Sequence, residues 1–288
     1  MSKILVRTSF RAPDGIELVG DHGGPLDAPA VILMHGGGQT RHSWDRTVEN
    51  LLDQGFQVLN YDARGHGESG WSKDSAYSLP DRARDLQAVA ASLAVPFLLV
   101  GASLGGATAI QAIHDGLRPA GLVLVDIVPE PEPKGVERIV SFMRGHHAGF
   151  ASIDEAVDAV ASYNPDRPRP SDSGGLMKNL RRREDGRLYW HWDPRILDTG
   201  PDVHHLAVQH AASTLEILPD LPVLLVRGLS SDVVSDQGVC AFRERLPRLE
   251  VLDVAGAGHM VAGDRNDAFT AGILAFAARV LAGLGTRV

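Results

Sequence analysis

The chain alternates short apolar runs with stretches of helical period through its first half. Val31 to Met34 is apolar throughout and ends in His35-Gly36-Gly37-Gly38, and the more mixed run Gln57 to Tyr61 ends at Asp62. Pro96 to Val100 ends at Gly101, and Leu122 to Val125 ends at Asp126. Runs this short, bounded by glycine or polar residues, predict strands buried on both faces. Between them, Trp44 to Gln54, Pro80 to Leu93 and Leu104 to Gly116 carry helical periodicity. Repeated strand–helix–strand units predict a parallel sheet covered by helices on both sides. Ahead of them, residues 4 to 20 read as an antiparallel hairpin turning at Pro13-Asp14-Gly15.

The alternation stops near Pro129 and resumes near Leu218. The intervening stretch holds a Pro-Glu-Pro segment, a helical pattern at Ser152 to Ala161, a loop at Asn164 to Pro170 and a basic run at Arg181 to Arg183. An aromatic cluster, Leu188-Tyr189-Trp190-His191-Trp192-Asp193-Pro194, follows. Structureless loops of this length are rare, so the stretch is expected to form a lid. The expected division is a core of residues 1–129 and 216–288 with a cap at 130–215. Strands are predicted at Val223 to Val226 and Leu249 to Val254, and a closing helix at Asn266 to Leu284.

Composition narrows the function classes. The 288 residues, 44% hydrophobic and 22% charged, are enough to bury a full core without staples. A net charge of -8 argues against nucleic acid as a partner, because phosphate binding calls for a basic face. One cysteine, Cys240, rules out an intramolecular disulfide framework and fits a reducing compartment. No apolar run approaches the ~20 residues of a membrane span, and Met1-Ser2-Lys3 does not open a signal peptide. The expectation is a cytoplasmic enzyme with no membrane partner.

Four segments carry chemistry. Gly101-Ala102-Ser103-Leu104-Gly105 follows an apolar strand and opens a helix, the context of a G-x-S-x-G nucleophile elbow. A strained strand-to-helix turn lifts the serine hydroxyl above the strand ends, and its neighbours two before and two after must be very small. Gly256-Ala257-Gly258-His259 follows the last strand and offers His259 as the general base that a serine hydroxyl needs. Asp232, in the loop after Val223 to Val226, is the expected acid orienting His259; Asp126, which also ends a strand, is its rival, and Asp236 a weaker one. The serine–acid–histidine order matches the order this fold uses. The Gly-rich loop 35–38 offers backbone N–H donors to an oxyanion, with Gly37 and Leu104 the expected pair and Gly38 an alternative to Gly37. His35 is expected to brace the loop.

With these motifs together, the chain resembles the α/β-hydrolase superfamily. The resemblance rests on the His35-Gly36-Gly37 loop, the turn Asp62-Ala63-Arg64-Gly65-His66-Gly67-Glu68-Ser69, the Ser103 elbow, Asp232 and His259. It implies an α/β-hydrolase fold, a mostly parallel doubly wound sheet with an inserted helical cap. It resembles most the group of esterases, lactonases and cofactor-free haloperoxidases; Ser103 stands against the aspartate nucleophile of haloalkane dehalogenases and most epoxide hydrolases. The segment Asp62 to Ser69 is then a structural turn with Asp62 and Arg64 in polar contacts.

The implied reaction is hydrolysis of a small carboxylic ester or lactone through an acyl-enzyme on Ser103, with no metal or organic cofactor. Perhydrolase or haloperoxidase-like chemistry and C–C bond hydrolysis use the same triad, and a ligand-binding receptor on this scaffold is the non-enzymatic reading. The pairs His146-His147 and His204-His205 lack the spacing of helical metal ligands and are expected on solvated cap surface. Trp190 and Trp192 either line the substrate pocket or pack the cap's own core.

Overall fold

The structure is a computed structural model and describes residues 5–163, 174–198, 201–259 and 266–282. The loop expected at Asn164 to Pro170 lies outside the described residues. Among the described residues ten strands run in chain order: β1 (Val6–Arg11), β2 (Glu17–Gly23), β3 (Ala30–Met34), β4 (Gln57–Tyr61), β5 (Phe97–Ala102), β6 (Gly121–Val125), β7 (Leu180–Arg182), β8 (Leu188–Trp190), β9 (Val223–Gly228) and β10 (Glu250–Val254). Eight form one sheet in the order β1-β2-β4-β3-β5-β6-β9-β10. From β4 to β10 every neighbouring pair is parallel, while β2 runs antiparallel to both its neighbours. The expected hairpin is therefore the β1–β2 ribbon, and Gly15 turns it at φ +89°.

The helices are α1 (Asp45–Asp53), α2 (Leu79–Ala90), α3 (Leu104–His114), α4 (Pro133–Arg144), α5 (Ile153–Tyr163), α6 (Gly174–Met177), α7 (Pro201–Glu216), α8 (Asp236–Arg245) and α9 (Asn266–Ala282). The central strands have two buried faces, which is why they are apolar without alternation. Val31 and Leu33 of β3 pack with Trp44, just before α1, with Val48 of α1 and with Phe269 and Ile273 of α9. Ile32 and Met34 point the other way, into the layer made by α2, α3, α7 and α8.

Between β6 and β9 the chain builds a third apolar cluster that includes Met143, Phe150, Leu188, Trp190, Trp192 and Ile196. The antiparallel pair β7–β8 and helices α4 and α5 frame it. This cluster is bolted to the core turn after β4. Asp193 N donates to the Gly65 carbonyl (2.8 Å), Tyr77 Oη donates to Asp193 Oδ2 (2.5 Å), and Arg195 Nη2 donates to the Ser72 carbonyl (2.9 Å). Helix α7 differs from the expected division. Its Val208, Ala211, Ala212 and Leu215 join the main core beside α3, so α7 packs as a core helix, although residues 130–215 read as one cap. Its apolar face packs against α3.

Candidate active site

The ends of five adjacent parallel strands, β3, β5, β6, β9 and β10, meet above the sheet, where ligands of open α/β sheets bind. Ser103 sits between β5 and α3 at φ 46° and ψ -112°, a backbone conformation that side chains rarely adopt. Its glycine neighbours make the turn possible. A Cβ on Gly101 would lie 2.5 Å from the Gly105 carbonyl, and one on Gly105 would lie 2.4 Å from the Met34 carbonyl oxygen. The positive end of α3 lies at Ser103, where it favours developing negative charge.

His259 follows β10, and its Nδ1 lies 2.7 Å from Asp126 Oδ2. Asp126 is fully buried at the end of β6. It also accepts from Gly228 N (3.2 Å) and Ser231 Oγ (2.5 Å). Like Ser103 it has positive φ, at 49°; only four described residues other than glycine do. The expected partnership of His259 with Asp232 is therefore corrected to Asp126. In the loop after β9 it is Ser231 that turns inward, where its Oγ also receives Val233 N and Val234 N. Asp232, one residue on, faces α4 and pairs with Arg138 Nη1 at 3.1 Å. Gly228 explains the reach of Asp126: a Cβ there would fall 2.3 Å from the Ala257 carbonyl, so the β9 and β10 loops touch and no side chain separates Asp126 from His259. Asp236 pairs with Arg227, away from His259.

The glycine loop lies against the elbow, and a Cβ on Gly37 would be 4.0 Å from Leu104 Cβ. Gly36 N donates to Gln39 Oε1 (3.0 Å) and Gly38 N to His66 Nε2 (3.2 Å). Gly37 N and Leu104 N have no acceptor among the described residues, so Gly37, rather than Gly38, keeps a free donor beside Leu104.

Three buried histidines brace this loop and the 62–69 turn beside it, and only His35 was expected to. His35 Nε2 accepts from Ala63 N (2.9 Å), and His191 Nδ1 accepts from Gly67 N (2.7 Å). With Gly38 on His66, these bonds link the 35–38 loop to the 62–69 turn and that turn to His191. Each ring must be neutral to accept, and burial holds all three below the usual histidine value, His191 at about 3. Asp62 is bound by Arg41, and Arg64 by Asp85 (2.6 Å from each oxygen), so the 62–69 turn is a polar brace as expected.

Ser103, Asp126 and His259 line one cavity of about 1060 Å³ with Gly37 and Leu104. Trp190 and Trp192 stack on each other at 4.9 Å, are buried in the third apolar cluster and also line the cavity. His146 and His147 are exposed, as expected, but His204 and His205 are half-buried at the cavity wall because α7 packs inward. Among the described residues no group of three or more His, Cys, Asp or Glu is arranged to hold a metal ion, and no helix is long and apolar enough to cross a membrane.

Fold and site define an α/β hydrolase, and the chain belongs to that family: the model of the alpha/beta hydrolase family matches residues 31–271. Among characterised relatives it is similar to the esterase Rv0045c of Mycobacterium tuberculosis, with 33% identity over 83% of this chain and 79% of that protein. A solved structure of that esterase superposes with a TM-score of 0.72 at 30% identity, covering 95% of this chain and 91% of the other. An α/β hydrolase from Novosphingobium aromaticivorans shares the fold at a TM-score of 0.79 and 24% identity, over 98% and 99% of the two chains. Protein phosphatase methylesterase 1 of Bos taurus matches at 28% identity, over 46% of this chain and 37% of its own length.

Proposed function

We propose that the protein hydrolyses a small carboxylic ester or lactone through an acyl-enzyme on Ser103. The observation that carries the reading is the His259–Asp126 contact of 2.7 Å, made in the same cavity as a serine held at positive φ. With Nδ1–H donated to Asp126, His259 presents Nε2 as an unprotonated base. It takes the Ser103 proton as Oγ attacks the carbonyl carbon. Gly37 N–H and Leu104 N–H receive the oxyanion, and α3 adds its positive end. The imidazolium, stabilised by Asp126, returns the proton to the departing alcohol. A water deprotonated by His259 then attacks the acyl-enzyme, and collapse releases the acid. Kinship with the M. tuberculosis esterase favours an ester bond over the C–C and peroxide chemistries open to the same residues. The described parts of the expected cap, residues 130–163 and 174–198, are the proposed roof of the pocket, with Trp190 and Trp192 in its wall.

Fluorophosphonate labelling tests this directly. Wild type is expected to be labelled on one serine, and Ser103→Ala to lose both label and ester turnover by orders of magnitude. Turnover within tenfold of wild type in Ser103→Ala would refute the assignment, as would a silent wild type, which would favour a receptor. Activity abolished by EDTA and restored by a divalent ion would overturn the metal-free mechanism.

A further inference from the structure

Helix α2 carries a cation where its pattern calls for an apolar residue. A capping box between Ser78 and Asp81 fixes the helix start. Leu79, Ala83 and Leu86 then face the core, and Arg82 lies on the same face, only 3% exposed. A buried charge is costly unless it is paired. Arg82 Nε donates to the Tyr77 carbonyl and Nη1 to the Arg64 carbonyl, each at 3.2 Å, while Nη2 has no acceptor among the described residues. The neighbouring carboxylate, Asp85, gives both oxygens to Arg64, which Asp14 meets as well. Arg82 therefore has no carboxylate of its own among the described residues. Burial pulls its pKa down to about 10, which leaves it cationic at neutral pH.

Arg82 lines the cavity, as do Leu79 of α2, Leu104 and Ala107 of α3 and Val208 of α7, and these three helices pack side by side, so we take this side of the cavity as one lobe. His204 of α7 also lines the cavity, and the Arg82 charge acts on it. It makes no hydrogen bond to a described residue, and burial, aided by the Arg82 charge, holds it neutral with a pKa of about 4. A separate void of about 10 Å³ is also lined by Arg82, but it has room for one water at most and for no anion. The other cations bordering the cavity are engaged elsewhere: Lys178 pairs with Asp45, and Arg144 is exposed and donates to the Leu197 carbonyl.

We propose that this lobe is an anion subsite in which Arg82 and His204 receive a carboxylate on the substrate, so that the preferred ester is an aliphatic half-ester of a dicarboxylic acid. The inference rests on the hydrolase reading of Ser103. One unpaired cation suits one negative charge, and a phosphate dianion would be left half-compensated. The apolar walls suit a hydrocarbon linker between the carboxylate and the ester. A carboxylate on a guanidinium out of bulk water forms a charge-assisted pair, among the stronger polar contacts in proteins.

Methyl half-esters of short- and medium-chain dicarboxylic acids are compared with methyl esters of the monocarboxylic acids of equal length, such as monomethyl adipate against methyl hexanoate. Wild type is expected to favour the half-ester in kcat/KM by about tenfold or more at the best length. Arg82→Met is expected to erase that ratio, Arg82→Lys to keep part of it, and His204→Leu to reduce it. The ratio is internal to each protein, so loss of folded enzyme cancels. Should Arg82→Met not fold, wild type supplies the test: adipate must inhibit methyl hexanoate hydrolysis more strongly than hexanoate does. Equal or better use of the neutral ester by wild type at every length overturns the subsite, as does a ratio unchanged in Arg82→Met. If neutral esters are cut while no anion preference appears, the subsite fails and the hydrolase stands. If neither ester is cut and Ser103 takes no fluorophosphonate, both readings fail.

Discussion

Asp126→Asn and Asp232→Asn separate the two carboxylates most sharply. Asp126 Oδ2 serves both His259 Nδ1 and Ser231 Oγ, while Oδ1 accepts from Gly228 N. Asparagine has one carbonyl oxygen for these two positions. If its NH₂ faces His259, Nδ1 must accept, the proton moves to Nε2, and the base facing Ser103 is lost. If its NH₂ faces Gly228 instead, two donors collide in a fully buried site. The expected loss in kcat is about 10³–10⁴, or roughly 4–5.5 kcal/mol of transition-state stabilisation, as for the wrong tautomer in other serine hydrolases. The Asp232–Arg138 pair is about a third to a half exposed, with side chains at 35% and 50%. Pairs of that kind contribute ~0–1 kcal/mol, so Asp232→Asn is expected to keep turnover within a few-fold. Steady-state kinetics on one activated ester, with circular dichroism as a fold control, decides it. A crippled Asp232→Asn beside an active Asp126→Asn would refute the assignment of the acid.

Three further outcomes are expected. His66→Phe removes the acceptor of Gly38 N–H, loosening the loop that presents Gly37; kcat is expected to fall about 10–100-fold with little change in KM, and an unchanged kcat would remove His66 from that role. Trp192→Ala deletes half of a stacked, buried pair that also walls the cavity, so stability is expected to fall by roughly 3–5 kcal/mol and the ratio of bulky to small ester turnover to drop; a lower thermal midpoint with an unchanged ratio would confine Trp192 to packing. His191 has a folded pKa of about 3 against 6.5 unfolded, so the unfolded chain binds the proton first and stability is lost as pH falls below 6.5. Between pH 7 and 5 this amounts to about 2 kcal/mol from His191 alone, and denaturant midpoints for wild type and His191→Gln should converge as pH falls; parallel curves would contradict it.

The sequence by itself determined what depends on local pattern. Strands β3, β5 and β6 were legible as apolar runs because both their faces are buried, and α3 because its glycines precede a helical period. The places of Ser103 and His259 at strand ends were legible because the apolar runs and small neighbours that mark such positions are written in adjacent residues. The loop 35–38 was legible for the same reason, as a stretch without side chains. Tertiary structure alone decided which carboxylate faces His259. Asp126 and Asp232 both follow strand ends, and the choice turned on a one-residue matter of direction, Ser231 turning in and Asp232 out, and on Gly228 leaving the path from β6 open. Tertiary structure also moved α7 into the core and so carried His204 to the cavity wall, since the face a helix buries depends on the partner it meets. Arg82 is the clearest case. Its position on the inner face of α2 was open to reading, but the absence of an ion-pair partner among the described residues is a fact of three dimensions, fixed when Arg64 takes both oxygens of Asp85.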